Sequence, residues 1–177
     1  MKDTIGSRGH EALTDPQTGL PNKLHWDTVS GVIFAAGARG IPLTLILVEV
    51  DDYQVWIGDR DQTTVGRVFY ALGDVLENTT RNTDLSARTR EERFAFLLLD
   101  CNLAGGRLVV DRLNLALDPI REMAGMAFST GVAALTREMT RLEDLAGAAE
   151  EALRKAQARG KNQIEFQELS RKGSELS

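Results

Sequence analysis

Runs of two periodicities alternate along this chain. Residues 41–50 are almost continuously apolar, which predicts a central strand buried on both faces. Farther on, Val65, Val68, Phe69, Leu72, Val75 and Leu76 recur at helical spacing, a core-facing stripe within a broken helical region over residues 52–78. Residues 84–89 and 94–99 read as two strands around a charged turn. Residues 103–117 read as a helix and residues 126–135 as another apolar strand. A helix over residues 22–38 precedes the central strand, with Gly37 and Gly40 to stop it. An amphipathic helix over residues 142–159 is closed by Gly160, and residues 162–166 form a last short strand. Strands alternating with helices predict an α/β (α+β) fold with a central mixed sheet flanked by helices.

Composition narrows the picture. A chain of 177 residues suggests one domain with a proper core. Residues 1–14 and 167–177 are polar and read as tails around a domain spanning 15–166. The net charge of −5 argues against nucleic acid as a partner. The single cysteine, Cys101, allows no internal disulfide and no paired-cysteine metal site, which fits a reducing cytoplasm. The longest apolar run, residues 43–48, is too short to cross a bilayer, so no membrane span is expected within this chain. A composition of this kind also suits a domain cut from a longer protein that carries a sensor or membrane part, an alternative the sequence leaves open.

Four blocks punctuate the segments. Asp15-Pro16-Gln17-Thr18-Gly19-Leu20-Pro21-Asn22-Lys23 opens the domain. Arg90-Glu91-Glu92-Arg93-Phe94 fills the charged turn. Phe128-Ser129-Thr130-Gly131-Val132-Ala133 forms the late strand, and Ala149-Glu150-Glu151-Ala152-Leu153 leads towards Gly160-Lys161-Asn162. In this order and spacing they resemble the GGDEF domain of diguanylate cyclases, over residues 15–166. That family condenses two GTP molecules into cyclic di-GMP, each domain of a dimer bringing one GTP. The resemblance implies a metal held by the first acid of a D-x-D pattern, a backbone carbonyl and the third residue of the signature.

Mapped onto this chain, the implied catalytic set is degraded. Glu49-Val50-Asp51 stands at the acidic pattern, so Glu49 replaces the metal-binding Asp, and Glu92 takes the acidic signature position. Glu49 and Glu92 remain as candidate oxygen ligands for Mg²⁺, set against a plain acidic strand end and a solvated turn. Arg90 and Glu91 replace the two signature glycines, where a tight primed turn disfavours side chains. Arg93 replaces the fourth residue, usually Glu. The guanine-reading Asn and Asp correspond to Ile57 and Gly66, which offer no side-chain hydrogen bonds. A phosphate-binding Lys corresponds to Gln157, while Lys161 keeps a positive charge nearby, and Tyr53-Gln54 stands where Phe-Lys is usual. The expectation is no catalytic residue set, no required cofactor and no Mg²⁺.

A second motif is intact. Arg81-Asn82-Thr83-Asp84 matches the R-x-x-D motif that binds product and inhibits many members. Arginine can give two hydrogen bonds to guanine O6 and N7, and Asp can accept from guanine N1–H and N2–H. Arg112, on the following helix, corresponds to another inhibitory-site arginine, and Arg88 could add positive potential. The bland alternative is an Arg81–Asp84 turn salt bridge with no ligand. The preferred reading is a catalytically inactive receptor for cyclic di-GMP, with an unidentified protein partner and a possible homodimer bridged by ligand. A nucleotide-independent interaction module and a divergent cyclase or GTP-binding regulator are the alternatives. His10 reads as a tail residue, His25 as a helix-surface or packing residue, Trp26 and Trp56 as packing or interface residues, and Cys101 as a buried strand-end thiol, not a nucleophile.

Overall fold

The computed structural model describes residues 11–58 and 60–168. His10 and the outer parts of both expected tails lie outside the described residues. Five strands form one mixed sheet: β1 (Leu43–Val50), β2 (Leu85–Arg88), β3 (Arg93–Leu99), β4 (Phe128–Ala134) and β5 (Ile164–Phe166), in the order β2-β3-β1-β4-β5. β1 lies at the centre, antiparallel to β3 and β4, and β5 joins β4 in parallel. The helices are α1 (Lys23–Gly37), α2 (Tyr53–Gly58), α3 (Gln62–Glu77), α4 (Leu103–Ala116), α5 (Asp118–Ala124) and α6 (Leu142–Ala158).

The apolar run of β1 is continuous because both faces of the sheet are covered. Ile46, Val48 and Val50 point into a core built with Phe69 and Leu72 of α3, Val110 and Leu113 of α4, and Ile120 of α5. Leu43, Leu45 and Leu47 point the other way, against Phe34 of α1 and Leu145, Ala149 and Leu153 of α6. The stripe expected on α3 is buried at Val65, Val68, Phe69, Leu72 and Leu76.

Two glycines mark where backbone meets backbone. A Cβ on Gly131 of β4 would stand 2.3 Å from the Leu153 amide nitrogen, so α6 crosses β4 at a distance only glycine permits. A Cβ on Gly73 of α3 would stand 2.0 Å from the Thr18 carbonyl oxygen, which fixes the opening loop on α3.

Helix starts follow the capping rules. Asn22 accepts from the His25 amide at 3.1 Å, and Asp61 accepts from the Thr64 amide at 2.9 Å. Asp144, in the first turn of α6, accepts the Arg141 and Thr140 amides at 2.9 Å each. Those bonds hold its carboxyl below the ordinary aspartate range. Its contribution to α6 is therefore present above the unfolded-state pKa and is lost as pH falls through the lowered folded value. Asp144→Asn is expected to reduce the acid-side pH dependence of α6 unfolding, read by circular dichroism between pH 5 and pH 2.

Helix α5 is not anticipated by the periodicity. It has seven residues, fewer than two full turns, and carries a proline in its first turn, where the missing N–H costs nothing. Gly125, at φ 63°, ends it.

Candidate functional site

The expected turn lies between β2 and β3. The Thr89 and Arg90 amides donate to the Arg93 carbonyl at 2.9 and 3.3 Å, and the Arg93 amide donates to the Arg90 carbonyl at 3.2 Å. Arg90 and Glu91 thus sit in a strand-connecting turn, but the strain expected there is absent. Among the described non-glycine residues only Asp52, Asp100 and Asn162 have positive φ. Four residues between the strands relieve the need for a primed turn.

Arg88 corrects a sequence expectation. It does not join Arg81 but is buried at 6 % exposure beneath the hairpin. Its guanidinium bonds Asp15 at 3.1 Å, Gln17 at 2.7 Å and the Glu91 carbonyl at 2.6 and 3.0 Å. It also lies 4.2 Å from the centre of the Phe69 ring. Every direction in which it could meet a ligand is taken, so Arg88 is a clamp between the opening loop and the hairpin.

At the end of β1 lies a cleft of about 520 Å³ lined by Glu49, Asp51, Asp52, Tyr53, Glu92 and Lys161, among others. Glu49 stands directly across from Arg93 in the β1–β3 register. Arg93 Nε donates to Glu49 Oε2 at 2.7 Å, and Arg93 Nη1 reaches Glu150 Oε1 on α6 at 3.0 Å. Gln157 Nε2 donates to Glu49 Oε1 at 2.9 Å. Each carboxylate oxygen of Glu49 therefore accepts a hydrogen bond from within the chain, one of them from a cation. Asp51 accepts the Ser129 hydroxyl at 3.0 Å and the Asn162 amide at 2.9 Å, which makes it an anchor between β1, β4 and the segment before β5. Lys161 pairs with Asp52 at 2.5 Å, and this bond raises the ammonium pKa above its usual value. Burial raises the Tyr53 phenol, with Glu91 and Glu92 adding to it and Arg88 opposing.

The donor set does not fit a divalent ion. Among the described residues no group of three or more His, Cys, Asp or Glu side chains converges as ligands would, and an arginine occupies the carboxylate that would lead such a set. Ile57 is half-buried against the core, and Gly66 on α3 faces open space. Neither supplies a polar side chain to a base.

The opposite end of β1 and β3 carries a second cleft, of about 320 Å³, bounded by Arg81, Asp84, Cys101, Leu108 and Arg112. Seven residue steps of β1 put the two clefts about 20 Å apart. The bland salt bridge is not what forms here. Asp84 Oδ2 accepts the Arg81 backbone N–H at 3.0 Å and Oδ1 accepts the Leu99 amide at 3.3 Å. Among the described residues no ion pair joins the two side chains, and Arg81 is exposed. Arg112 Nη2 donates to the Thr79 carbonyl at 2.6 Å, which turns its guanidinium towards the loop carrying Arg81. Burial pushes the Cys101 thiol up, in keeping with an unreactive side chain. Trp56 is buried, donating its indole N–H to the Ala124 carbonyl at 2.8 Å, while Trp26 and His25 are half-buried.

The profile of the family described as "Diguanylate cyclase, GGDEF domain" matches residues 12–163. The chain belongs to the GGDEF family. Response regulator PleD of Caulobacter vibrioides is 27% identical over 162 residues, an alignment covering 86% of this chain and 36% of PleD. Diguanylate cyclase DgcP of Pseudomonas aeruginosa is 29% identical over 108 residues, 60% of this chain and 16% of DgcP. This chain thus spans about a third or less of these curated relatives. Among solved structures, the GGDEF domain of DgcB from Caulobacter crescentus in complex with c-di-GMP superposes with a TM-score of 0.78 at 17% identity, covering 88% of this chain and 95% of that one. Diguanylate cyclase SiaD of Pseudomonas aeruginosa, in complex with its activator SiaC, gives 0.78 at 22% identity, covering 94% and 66%. These likenesses establish the GGDEF fold. Among the described residues no helix is long and apolar enough to cross a membrane.

Proposed function

We propose that this GGDEF domain makes no cyclic di-GMP and instead binds it at the cleft bounded by Arg81, Asp84 and Arg112, passing its state to a protein partner. The observation that carries the reading is the contrast between the two ends of β1. At one end, Glu49 is ion-paired with Arg93 and hydrogen-bonded by Gln157. At the other, an exposed Arg81 and a second arginine border a cleft beside Asp84. Arginine offers a planar bidentate donor face to guanine and a charge to phosphate. Each Asp84 oxygen accepts one amide, so a lone pair on each is left for guanine N1–H and N2–H. A ligand with two guanines and two phosphates matches that set. The relatives' names support it, since DgcB binds c-di-GMP and SiaD meets a protein activator. The setting would be the cytoplasm, and ligand stacked between two copies could bridge a homodimer.

Calorimetric titration of cyclic di-GMP into the domain tests the reading. Wild type should bind, and Arg81→Ala should weaken binding by about 1–3 kcal/mol. Asp84→Ala should relax selectivity over the adenine analogue, and binding should fall with added salt. Absence of any heat at high ligand concentration removes the receptor reading and leaves a nucleotide-independent interaction module.

Catalytic silence is tested separately. Incubated with GTP and Mg²⁺ or Mn²⁺, the domain should yield no cyclic di-GMP above a protein-free control by liquid chromatography. Turnover that disappears in Glu92→Ala would restore the divergent cyclase.

A further inference from the structure

We propose that Arg93 is a built-in counter-cation: its guanidinium holds the place at Glu49 that a divalent ion would need and so keeps Mg²⁺ and Mn²⁺ out of this cleft. The inference rests on the reading of this cleft as catalytically silent and gives that silence a single physical cause at the metal position.

Geometry carries it. Glu49 and Arg93 are cross-strand partners on neighbouring strands, so their side chains leave the same face of the sheet. They meet at 2.7 Å with side-chain exposures of 16 % and 13 %. The pair is mostly screened from water, where attraction between opposite charges is strengthened. Glu150 takes a second guanidinium nitrogen at 3.0 Å, and Gln157 takes the second Glu49 oxygen at 2.9 Å. One arginine thereby joins β1, β3 and α6, the mechanical link a metal between carboxylates would otherwise make.

An incoming divalent ion meets two obstacles. It must displace a guanidinium from the only carboxylate contributed by β1 itself, and it must sit beside the displaced positive charge. Arginine cannot shed that charge at any ordinary pH. The remaining acids do not compensate: Asp51 is anchored by Ser129 and Asn162, and Asp52 is paired with Lys161. Glu92 is left as a lone acidic lining residue. Removing the guanidinium would leave Glu49 without its counter-charge in the cleft that Glu92 also lines, two hard oxygen donors suited to Mg²⁺ or Mn²⁺.

Mn²⁺ is the probe, titrated without nucleotide and followed by the electron paramagnetic resonance signal of the free ion. Wild type and Arg93→Lys should show no saturable uptake at millimolar Mn²⁺. Arg93→Gln and Arg93→Glu should each bind one ion per domain at least tenfold more tightly than wild type, and Glu49→Gln added to Arg93→Gln should abolish the gain. Arg93→Gln is neutral and adds no charge to the site, whereas Arg93→Glu places a third carboxylate beside Glu49 and Glu150; circular dichroism verifies that both fold. Stoichiometric uptake by wild type that Glu49→Gln removes would overturn the proposal. So would folded Arg93→Gln that takes up no ion. The same proteins titrated with cyclic di-GMP read the other cleft, so the Arg93 proposal and the receptor reading can fail independently.

Discussion

Arg88→Ala should lower the free energy of unfolding by about 3–5 kcal/mol, the cost of removing one partner from a buried ion pair. The guanidinium is the only cation at Asp15 among the described ion pairs, and it supplies two hydrogen bonds to the Glu91 carbonyl. Asp15 would keep the Thr18 amide and hydroxyl, at 2.9 and 2.7 Å, but lose its charge partner. Urea denaturation measures the loss. The variant also separates two arginines that look equivalent in sequence. At a temperature where it remains folded, Arg88→Ala should bind cyclic di-GMP as wild type does, whereas Arg81→Ala should be as stable as wild type and bind poorly. If Arg88→Ala is stable and only binding falls, the clamp assignment is wrong.

Phe69→Ala should cost a comparable amount, about 3–5 kcal/mol, for loss of a buried aromatic ring and the cavity left behind. Phe69 has 0 % exposure and is packed by Tyr53, Trp56 and Phe94 rings at centroid distances of 6.0, 6.1 and 6.4 Å. Its face also carries the Arg88 guanidinium. The double variant should therefore lose less than the sum of the singles, because each single change already removes their mutual contact. Strict additivity in the same urea titration would show that the ring and the cation do not support one another.

What could be read from the chain depended on whether a signal was local. The run that became β1 was legible because both of its faces are buried, and α3 because its stripe repeats over about three turns. The cleft at Arg81, Asp84 and Arg112 was partly legible, since two of its residues lie three apart in one turn. Arg88 was misassigned because its partner Asp15 lies 73 positions away, and nothing near Arg88 in the sequence announces an acid beneath it. The Glu49–Arg93 pair was equally hidden. Each residue read as an isolated departure from the family pattern, and only the strand register puts them opposite one another. A charge reversal at one site and a retained acid at another was the available clue. Helix α5 was too short for its periodicity to register.

The order of the sheet has a consequence for how copies of this domain can meet. Strands with bare edges recruit strands from other molecules. Here the outermost strands are the two shortest, β2 with four residues and β5 with three. The last amide of β2 is already taken by the Pro21 carbonyl at 2.9 Å, so the opening loop shields that rim. Beyond β5, Gln167 extends the pairing with β4, donating its amide to the Val132 carbonyl at 2.7 Å and accepting from the Ala134 amide at 2.9 Å. The long, apolar strands that would make the best templates for runaway polymerisation are all interior. Such a sheet presents only its two short outer strands to a neighbouring molecule, which disfavours strand-by-strand fibrillar growth in a crowded population of these domains.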